Sequence, residues 1–541
     1  MNHCGKIISR MKVNTMLEKA SSFVASILDG NNEQAKESIV EMELLSNQYS
    51  MFYSYLSVFQ AMMSASKAEM RIRGFRMYCA IAKWDKFSRI DTSFLNVLSI
   101  LQDDEVENVV QALEALRHLI PYKRHLLHYI EFMMEKIHVE DEKVEVAKQR
   151  LQQFIQLAKS FDEGVNRKGS NAVKWLGDEN LHAMWVADME FACAPEIYEA
   201  LEKRLKHGVF GYDVVPKDYY RNVAKWWRTR YQTVLKEDHI VFAQGVIPAL
   251  SSLIRTFTKE EDLILVQEPV YHTFRKTIEK NHRVLISNDL IYKENHYAID
   301  FKDLETKLAM PAVKMMILCN PHNPIGKIWS RQDMTRIAQL CQDNDVLLIS
   351  DEIHCDLTRI HQTYIPAASL DEKYADKIIS LYSVTKTFNL AGLHASSIYC
   401  PDDEMLQAIC KGIYRDDVGS TNAFGAIAAT AAYEYGADWL ALLRVYLDDN
   451  LAYMQKYLQK ELPSVKMVPC EATYLAWLDV SAHTDDIDAF CQHLHQNHGL
   501  YVSNGGEFKK GACFLRVNVA APRSHIEEGL KRLVKAIQTY E

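Results

Sequence analysis

The sequence predicts an α/β protein with a mostly parallel, doubly wound sheet, preceded by an all-helical domain. Residues 1–160 hold only three of the 20 glycines and one of the 13 prolines, so helix breakers are scarce there. From about residue 161, short apolar runs bounded by turns alternate with helical patterns. Strands that alternate with helices are typical of a parallel sheet. We therefore expect two domains, over residues 1–160 and 161–541.

Composition excludes several classes of protein. With 541 residues, 48% hydrophobic and 25% charged, the chain is neither disordered nor collagen-like. The net charge of −9 argues against a general nucleic-acid binder. No apolar run reaches about 18 residues, and no signal-peptide pattern opens the chain, so we expect no membrane partner. The 11 cysteines are scattered, which predicts reduced thiols in a cytoplasmic protein.

Residues 1–160 carry apolar positions at helical spacing. Leu95, Leu98 and Leu101 form one such run, which Asp103 ends. A second helix face follows at Val106, Val109, Val110, Leu113, Leu116 and Ile120. Helix pairs at intervals of about 40 residues indicate a HEAT-like repeat, and a plain helical bundle fits equally well. Such a domain would offer a surface to a protein partner. We expect four aromatic residues in its core: Phe52, Tyr53, Tyr55 and Phe59.

Three predicted strands of the second domain each lead to a polar residue. The run Met315–Leu318 leads to Asn323, Val346–Ile349 to Asp351, and Ile378–Leu381 to Lys386. Because the carboxyl ends of parallel strands form the binding sites of such sheets, we expect these side chains to meet. A lysine in that place loses hydration, has a lowered pKa and can form a Schiff base with a carbonyl. A carboxylate in that place needs a partner.

Each of these residues alone has an ordinary structural explanation. A strand-end Asp is often a cap, a lone Lys is usually solvated, and Asn-Pro-x-Gly is a common turn. Together they match the needs of pyridoxal 5'-phosphate (PLP). Lys386 would hold the aldehyde, Asp351 would keep the pyridine nitrogen protonated, and Asn323 would bind the phenolic oxygen, with His354 as a further candidate.

A phosphate site is predicted beside this cluster. Gly245 and Val246 stand between the apolar strand Ile240–Ala243 and a helical pattern. Backbone amides at a helix N-terminus suit a phosphate group. Ser383 would add a hydroxyl, and Tyr271 would stack on the cofactor ring.

A series of short motifs runs through the second domain. They are Phe161–Glu163, Asn171–Trp175, Met184–Phe191, His207–Tyr212, Pro321–Gly326, Ser350–His354, Thr385–Gly392, Glu471–Leu475 and Phe514–Asn518. In these motifs, residues 161–541 resemble the MalY/PatB family of cystathionine β-lyases. That family is a branch of the fold-type I PLP enzymes related to class I and II aminotransferases.

The resemblance implies an architecture and two further site residues. The PLP-enzyme fold would have a large part over about 206–460, and a small part over about 161–205 and 461–541. Tyr212 would reach the PLP phosphate of a neighbouring subunit, which implies a homodimer. Arg516 would clamp the α-carboxylate of an amino-acid substrate, a role that suits a bidentate guanidinium.

The resemblance also implies a reaction, namely PLP-dependent carbon–sulfur β-elimination. L-Cystathionine, or a related cysteine thioether, would give a thiol, pyruvate and ammonia, with Lys386 as the general base. Two alternatives stay open: a class I or II aminotransferase that uses the same residues, and a partner-binding or regulatory protein on a PLP-enzyme scaffold.

The sequence departs from the family pattern at several positions, and we expect no indispensable group to be lost. These positions are Glu190, Ala243, Gln244, Thr385, His394 and Lys509. No metal site is predicted, because His493, His495 and His498 lie at the polar end of a helical pattern, where a solvated face is expected.

Overall fold

The computed structural model describes residues 18–29, 32–46, 49–176, 180–510 and 512–540. Internal contacts separate two units, Met1–Ser160 and Phe161–Glu541. Among the described residues, none of the helices is both long and apolar enough to span a membrane.

The first unit is helical throughout its described regular structure. Its helices are residues 18–29 (α1), Asn32–Ser46 (α2), Leu56–Met63 (α3), Ala68–Ala80 (α4), Arg89–Val97 (α5), Val106–Leu119 (α6), Leu127–Glu135 (α7) and Glu142–Glu163 (α8). Short 3-10 turns join several of them, and α4 packs against α2, α3 and α6. The predicted helical region is confirmed.

The apolar positions of this unit behave as predicted, with one exception. Val109, Leu113, Leu116 and Ile120 are buried, and Val106 and Val110 are half-buried. Leu98 and Leu101 are buried, whereas Leu95, which has the same spacing in the sequence, is 57% exposed. The α-helix ends at Val97 and a 3-10 helix begins at Leu98, so Leu95 lies in a different helix from the two buried leucines.

Only two of the four aromatic residues expected in the core are fully buried. They are Phe52 and Phe59. Tyr53 and Tyr55 are half-buried because each hydroxyl serves a polar partner. The hydroxyl of Tyr53 donates to Asp85 at 2.6 Å, and that of Tyr55 hydrogen-bonds a serine hydroxyl.

The second unit alternates strands and helices. Its strands are His182–Ala183 (β1), Ile240–Ala243 (β2), Leu263–Val266 (β3), Val284–Ser287 (β4), Ile291–Lys293 (β5), His296–Ala298 (β6), Val313–Cys319 (β7), Leu347–Asp351 (β8), Ile378–Tyr382 (β9), Ser396–Tyr399 (β10), Lys466–Met467 (β11), Leu475–Asp479 (β12), Leu500–Tyr501 (β13), Ser503–Asn504 (β14) and Phe514–Asn518 (β15).

The helices of this unit cover the sheets. They are Pro195–His207 (α9), Lys217–Tyr231 (α10), Val246–Phe257 (α11), Thr273–Lys280 (α12), Phe301–Leu308 (α13), Arg331–Asp343 (α14), Val384–Thr387 (α15), Asp403–Arg415 (α16), Gly425–Tyr435 (α17), Ala437–Glu461 (α18), Ile487–His498 (α19) and Arg523–Thr539 (α20).

A seven-stranded sheet forms the centre of this unit, in the order β2-β10-β9-β8-β7-β3-β4. The strands from β9 to β4 are parallel, and β10 is antiparallel to both of its neighbours. Alternate residues of β7 enter separate apolar cores: Met316 and Leu318 join one, and Met315 and Ile317 join the other. A sheet buried on both faces requires such continuous apolar strands. The predicted mostly parallel sheet is confirmed.

A smaller antiparallel sheet has the order β11-β12-β15-β14, and β1 pairs with β13 beside it. In the middle of β15, Arg516 lies between Trp477 of β12 and Ser503 of β14. This sheet therefore carries the guanidinium group that faces the end of the large sheet.

Candidate active site

Asn323, Asp351 and Lys386 lie at one edge of the seven-stranded sheet. They follow β7, β8 and β9, which are parallel neighbours. Asp351 is the last residue of β8, and Lys386 lies in the short helix α15, just after β9. Asn323 lies in the turn after β7. The strand order therefore brings these residues to the same edge.

The carboxylate of Asp351 is buried with few partners. The backbone N–H of Ile353 donates to Oδ1 at 3.1 Å, and this is the one hydrogen bond that the described residues give to the side chain. Burial raises the pKa of Asp351 to about 7, although the Lys386 ammonium opposes that rise. A cationic N–H donor placed against this carboxylate would restore its charged form.

The amine of Lys386 is held by a backbone carbonyl. Its Nζ donates to the oxygen of Ala187 at 2.7 Å. Burial, together with the positive charge of Arg516, lowers the pKa of Lys386 to about 8, against the opposite effect of the carboxylates of Asp188 and Asp351. A lysine with this pKa is partly neutral near pH 7 to 8 and can act as a nucleophile or a base.

Arg516 joins the small sheet to the turn after β7. Its Nη1 donates to Oδ1 of Asn323 at 3.2 Å, and its Nη2 donates to the oxygen of Trp185 and to Oγ of Ser503, both at 3.0 Å. The guanidinium also lies over the ring of Phe508, 4.8 Å from its centroid. Burial lowers the pKa of Arg516 to about 10, so the group stays charged at neutral pH.

The predicted phosphate end lies at the N-terminus of α11. Gly245 has φ +146°, which favours glycine, and it precedes the first helical residue, Val246. The hydroxyl of Ser383 donates to the oxygen of Ala395 at 2.7 Å and accepts from the N–H of Thr385 at 3.1 Å. Ser383 therefore caps the turn that carries Lys386, and the amides of α11 remain for an anion.

His354 is a neutral imidazole beside the site. Burial, together with the charges of Lys386 and Arg516, lowers its pKa to about 3. Its Nδ1 is buried and lacks a hydrogen-bond partner among the described residues. Tyr271 is half-buried and interacts electrostatically with Arg516. The side chain of Tyr212 is fully exposed.

Several residues of the site were not predicted from the sequence. Tyr474 donates its hydroxyl to the oxygen of Ala187 at 2.9 Å, the same atom that binds Lys386. Asn389 and Asn518 bind the backbone on either side of Ala187. Tyr474 does lie in one of the short motifs, Glu471–Leu475, but a tyrosine beside apolar residues is typical of a core position.

Three histidines near the end of α19 bind structural partners. Nε2 of His493 hydrogen-bonds the oxygen of Ala536 at 3.1 Å, and that of His498 bonds the hydroxyl of Thr539 at 2.9 Å. The ring of His495 stacks on a tyrosine. In the part of the chain that the structure describes, no cluster of His, Cys, Asp and Glu is arranged to hold a metal ion.

The unpaired polar atoms of the site fit PLP. The carboxylate of Asp351 could accept a cationic ring N–H, and Lys386 could offer an amine to an aldehyde. Nδ1 of His354 and Nε of Arg516 are buried atoms without hydrogen-bond partners among the described residues. An aromatic heterocycle with polar substituents, and an amino-acid carboxylate beside it, would satisfy such atoms.

Comparisons with known proteins identify relatives of the second unit. Residues 180–537 match the family model for aminotransferase class I and II. Cystathionine β-lyase PatB of Bacillus subtilis is 38% identical over 385 residues, which are 70% of this chain and 100% of PatB. Protein MalY of Escherichia coli is 33% identical, over 70% of this chain and 98% of MalY. The PLP-bound C-S lyase of Staphylococcus hominis superposes with a TM-score of 0.65 at 34% identity, covering 70% and 97% of the two chains.

Proposed function

We propose that this chain, which belongs to the class I and II aminotransferase family, is a PLP-dependent carbon–sulfur β-lyase that cleaves L-cystathionine or a related cysteine thioether. One observation carries the proposal. A nucleophilic lysine, an isolated carboxylate and a buried guanidinium converge in a unit that matches PatB over its full length. The products are a thiol, pyruvate and ammonia.

PLP supplies a ring that accepts the electron pair left when a bond at Cα breaks. Lys386 would hold the aldehyde carbon, and Asp351 would bind the protonated ring nitrogen. Because Oδ1 of Asn323 accepts from Arg516, the amide nitrogen of Asn323 is left to donate to the phenolic oxygen. His354 supplies a second polar contact to the ring.

The phosphate end is held by backbone amides and by a second subunit. The N–H groups of Gly245 and Val246 at the start of α11 would bind the phosphate oxygens. Tyr271 would stack on the ring. Tyr212 is 109% exposed, and its neighbours Phe210 and Val214 are also exposed. This exposed apolar segment supports a homodimer in which Tyr212 reaches the partner's phosphate.

Arg516 and Lys386 have separate roles in β-elimination. Arg516 binds the α-carboxylate with its free N–H groups and so fixes the substrate Cα against Lys386. The substrate amino group displaces the amine of Lys386, and the freed neutral amine takes the Cα proton and becomes an ammonium at Nζ. A double bond forms between Cα and Cβ as the bond between Cβ and sulfur breaks, and the thiolate leaves with the bonding pair and takes a proton from Lys386. Water then hydrolyses the released enamine to pyruvate and ammonia.

The helical unit serves a protein partner in this proposal. The match to PatB covers all of PatB but only 70% of this chain. Phe87 and Phe132 in the helical unit are more than half exposed, which supports a surface for a partner. A cytoplasmic location is supported by the ten described cysteines, all of which are free thiols.

Pyruvate release tests the proposed reaction. Full-length protein with PLP and L-cystathionine, and without a keto acid, should form pyruvate, and Lys386→Ala should abolish it. Lys377→Ala is the matched control, because Lys377 lies at the opposite end of β9 and pairs with Asp345. Absence of pyruvate, together with the absorbance of bound PLP, would overturn the lyase proposal. Turnover that depends on an added keto acid would then identify an aminotransferase.

A further inference from the structure

One backbone oxygen accepts two side-chain donors in the active site. Ala187 O accepts from Nζ of Lys386 at 2.7 Å and from the hydroxyl of Tyr474 at 2.9 Å. Tyr474 is completely buried, and burial raises the pKa of its hydroxyl, so the group remains a donor at neutral pH. A carbonyl oxygen has two lone pairs, and both are used here.

The segment that carries this oxygen is held firmly although it has no helix or strand structure. Nδ2 of Asn518 donates to the oxygens of Val186 and Asp188, both at 2.6 Å. Asn389 accepts from the N–H of Met189 and donates to its oxygen, each at 3.0 Å. Ala187 O is therefore a fixed acceptor, placed by contacts on both sides.

We propose that Tyr474 is a positioning residue for Lys386, which acts through the shared Ala187 oxygen and sets where the free amine rests and how readily it gives up its proton. The inference rests on the proposed function, since a lyase cycle frees this amine at every turnover. When the neutral amine of Lys386 donates an N–H to Ala187 O, the lone pair on Nζ points away from that oxygen. The lone pair is then available to the Cα proton.

The direction of the effect follows from hydrogen-bond competition. The tyrosine hydroxyl withdraws electron density from Ala187 O, so the oxygen binds the ammonium form of Lys386 less strongly. Removing that hydroxyl makes the oxygen a better partner for the ammonium and raises the pKa of the amine. The other charged or titratable groups that face Lys386 are Asp188, Asp351, His354 and Arg516. All four are unchanged in the variant.

Competitive labelling of the full-length chain without cofactor measures the effect. A trace acylating reagent is applied across a pH series, and the extent of labelling at Lys386 is read by mass spectrometry. Tyr474→Phe should move the labelling midpoint upward by about half to one pH unit, the size of one neutral hydrogen bond. In the holoenzyme the alkaline rise of kcat should move in the same direction.

A matched control separates this effect from a general change in packing. Tyr374 is buried, and its hydroxyl donates to an amide oxygen of Gln339 at 2.9 Å, away from the site. Tyr374→Phe should leave the labelling midpoint of Lys386 unchanged. A ring-fluorinated tyrosine at position 474 is a stronger donor and should move the midpoint downward. The proposal is overturned if Tyr474→Phe leaves the midpoint in place or if both phenylalanine variants shift it equally. Because labelling needs no turnover, this result is independent of the lyase assay.

Discussion

Replacement of Arg516 by lysine tests how the substrate is held. The guanidinium has five N–H groups, and three of them bind Asn323, Trp185 and Ser503. The remaining N–H groups, which include the unpaired Nε, are left for a carboxylate. An ammonium keeps the charge but has only three N–H groups, so it cannot serve both the protein and the ligand.

The expected loss follows from the bonds removed. A hydrogen bond to a charged group contributes about 1.5–3 kcal/mol. Losing one such bond to the α-carboxylate lowers kcat/KM about 10- to 150-fold, at about 1.4 kcal/mol per tenfold. KM should rise and kcat/KM should fall, while the affinity for PLP should change little. Pyruvate release at varied substrate concentration, together with PLP titration by absorbance, separates the two quantities.

Arg283→Lys is the matched control for this experiment. Arg283 is also a buried arginine, and it bonds neutral oxygens of Thr258 and Asn281 at the start of β4. The Arg283→Lys variant should have a lower free energy of unfolding than the wild type and an unchanged KM. The reasoning is refuted if Arg516→Lys keeps the wild-type kcat/KM, or if its loss is matched by an equal loss of PLP affinity.

Three further predictions concern stability and assembly. Burial raises the folded-state pKa of Asp351 to about 7, so the cofactor-free protein holds a proton that the unfolded chain has released. The contribution of Asp351 to the free energy of unfolding should fall as pH rises from about 4 to 7, by about 1.4 kcal/mol per pH unit, and Asp351→Asn should remove this contribution from the slope measured in denaturant titrations. If Tyr212 acts across a dimer, an equal mixture of Lys386→Ala and Tyr212→Ala subunits should recover about a quarter of the wild-type rate, because about half of the dimers are mixed and each mixed dimer has one intact site. Absence of recovery would exclude that role. Gly326 has φ +67°, and in Gly326→Ala the added Cβ would lie 2.9 Å from the sulfur of Cys470. It should lower the free energy of unfolding by about 1–3 kcal/mol, and Gly169→Ala, at φ +76° in open space, should cost less.

The strand ends show what the sequence can predict. Runs of apolar residues mark β7, β8 and β9, because a sheet covered on both faces leaves no polar position within a strand. Parallel order then requires Asn323, Asp351 and Lys386 to meet at one edge. The family resemblance and the PLP cofactor, both expected from the motifs, are confirmed.

The position of Arg516 could not be derived in this way. Its strand belongs to another sheet, so only the resemblance pointed to it, and its contact with Asn323 depends on how the two sheets pack. The role of the Ala187 oxygen could not be predicted from the sequence, because every residue has a backbone carbonyl and the sequence does not indicate which one binds Lys386. The exposure of Leu95 has a local reason, since α5 ends at Val97 and the two buried leucines lie in the 3-10 helix that follows.

The irregular segment around Ala187 has a consequence for the order in which the enzyme is built. Its polar backbone groups are satisfied by Asn389, about 200 residues later, and by Asn518, about 330 residues later. On a ribosome, the segment therefore emerges long before its partners exist. The resting place of Lys386 is complete only when β15, close to the end of the chain, has been synthesised and paired. A nascent chain that stops before this strand has the sheet that carries Lys386 but lacks the contacts of Asn518 and Arg516 around it.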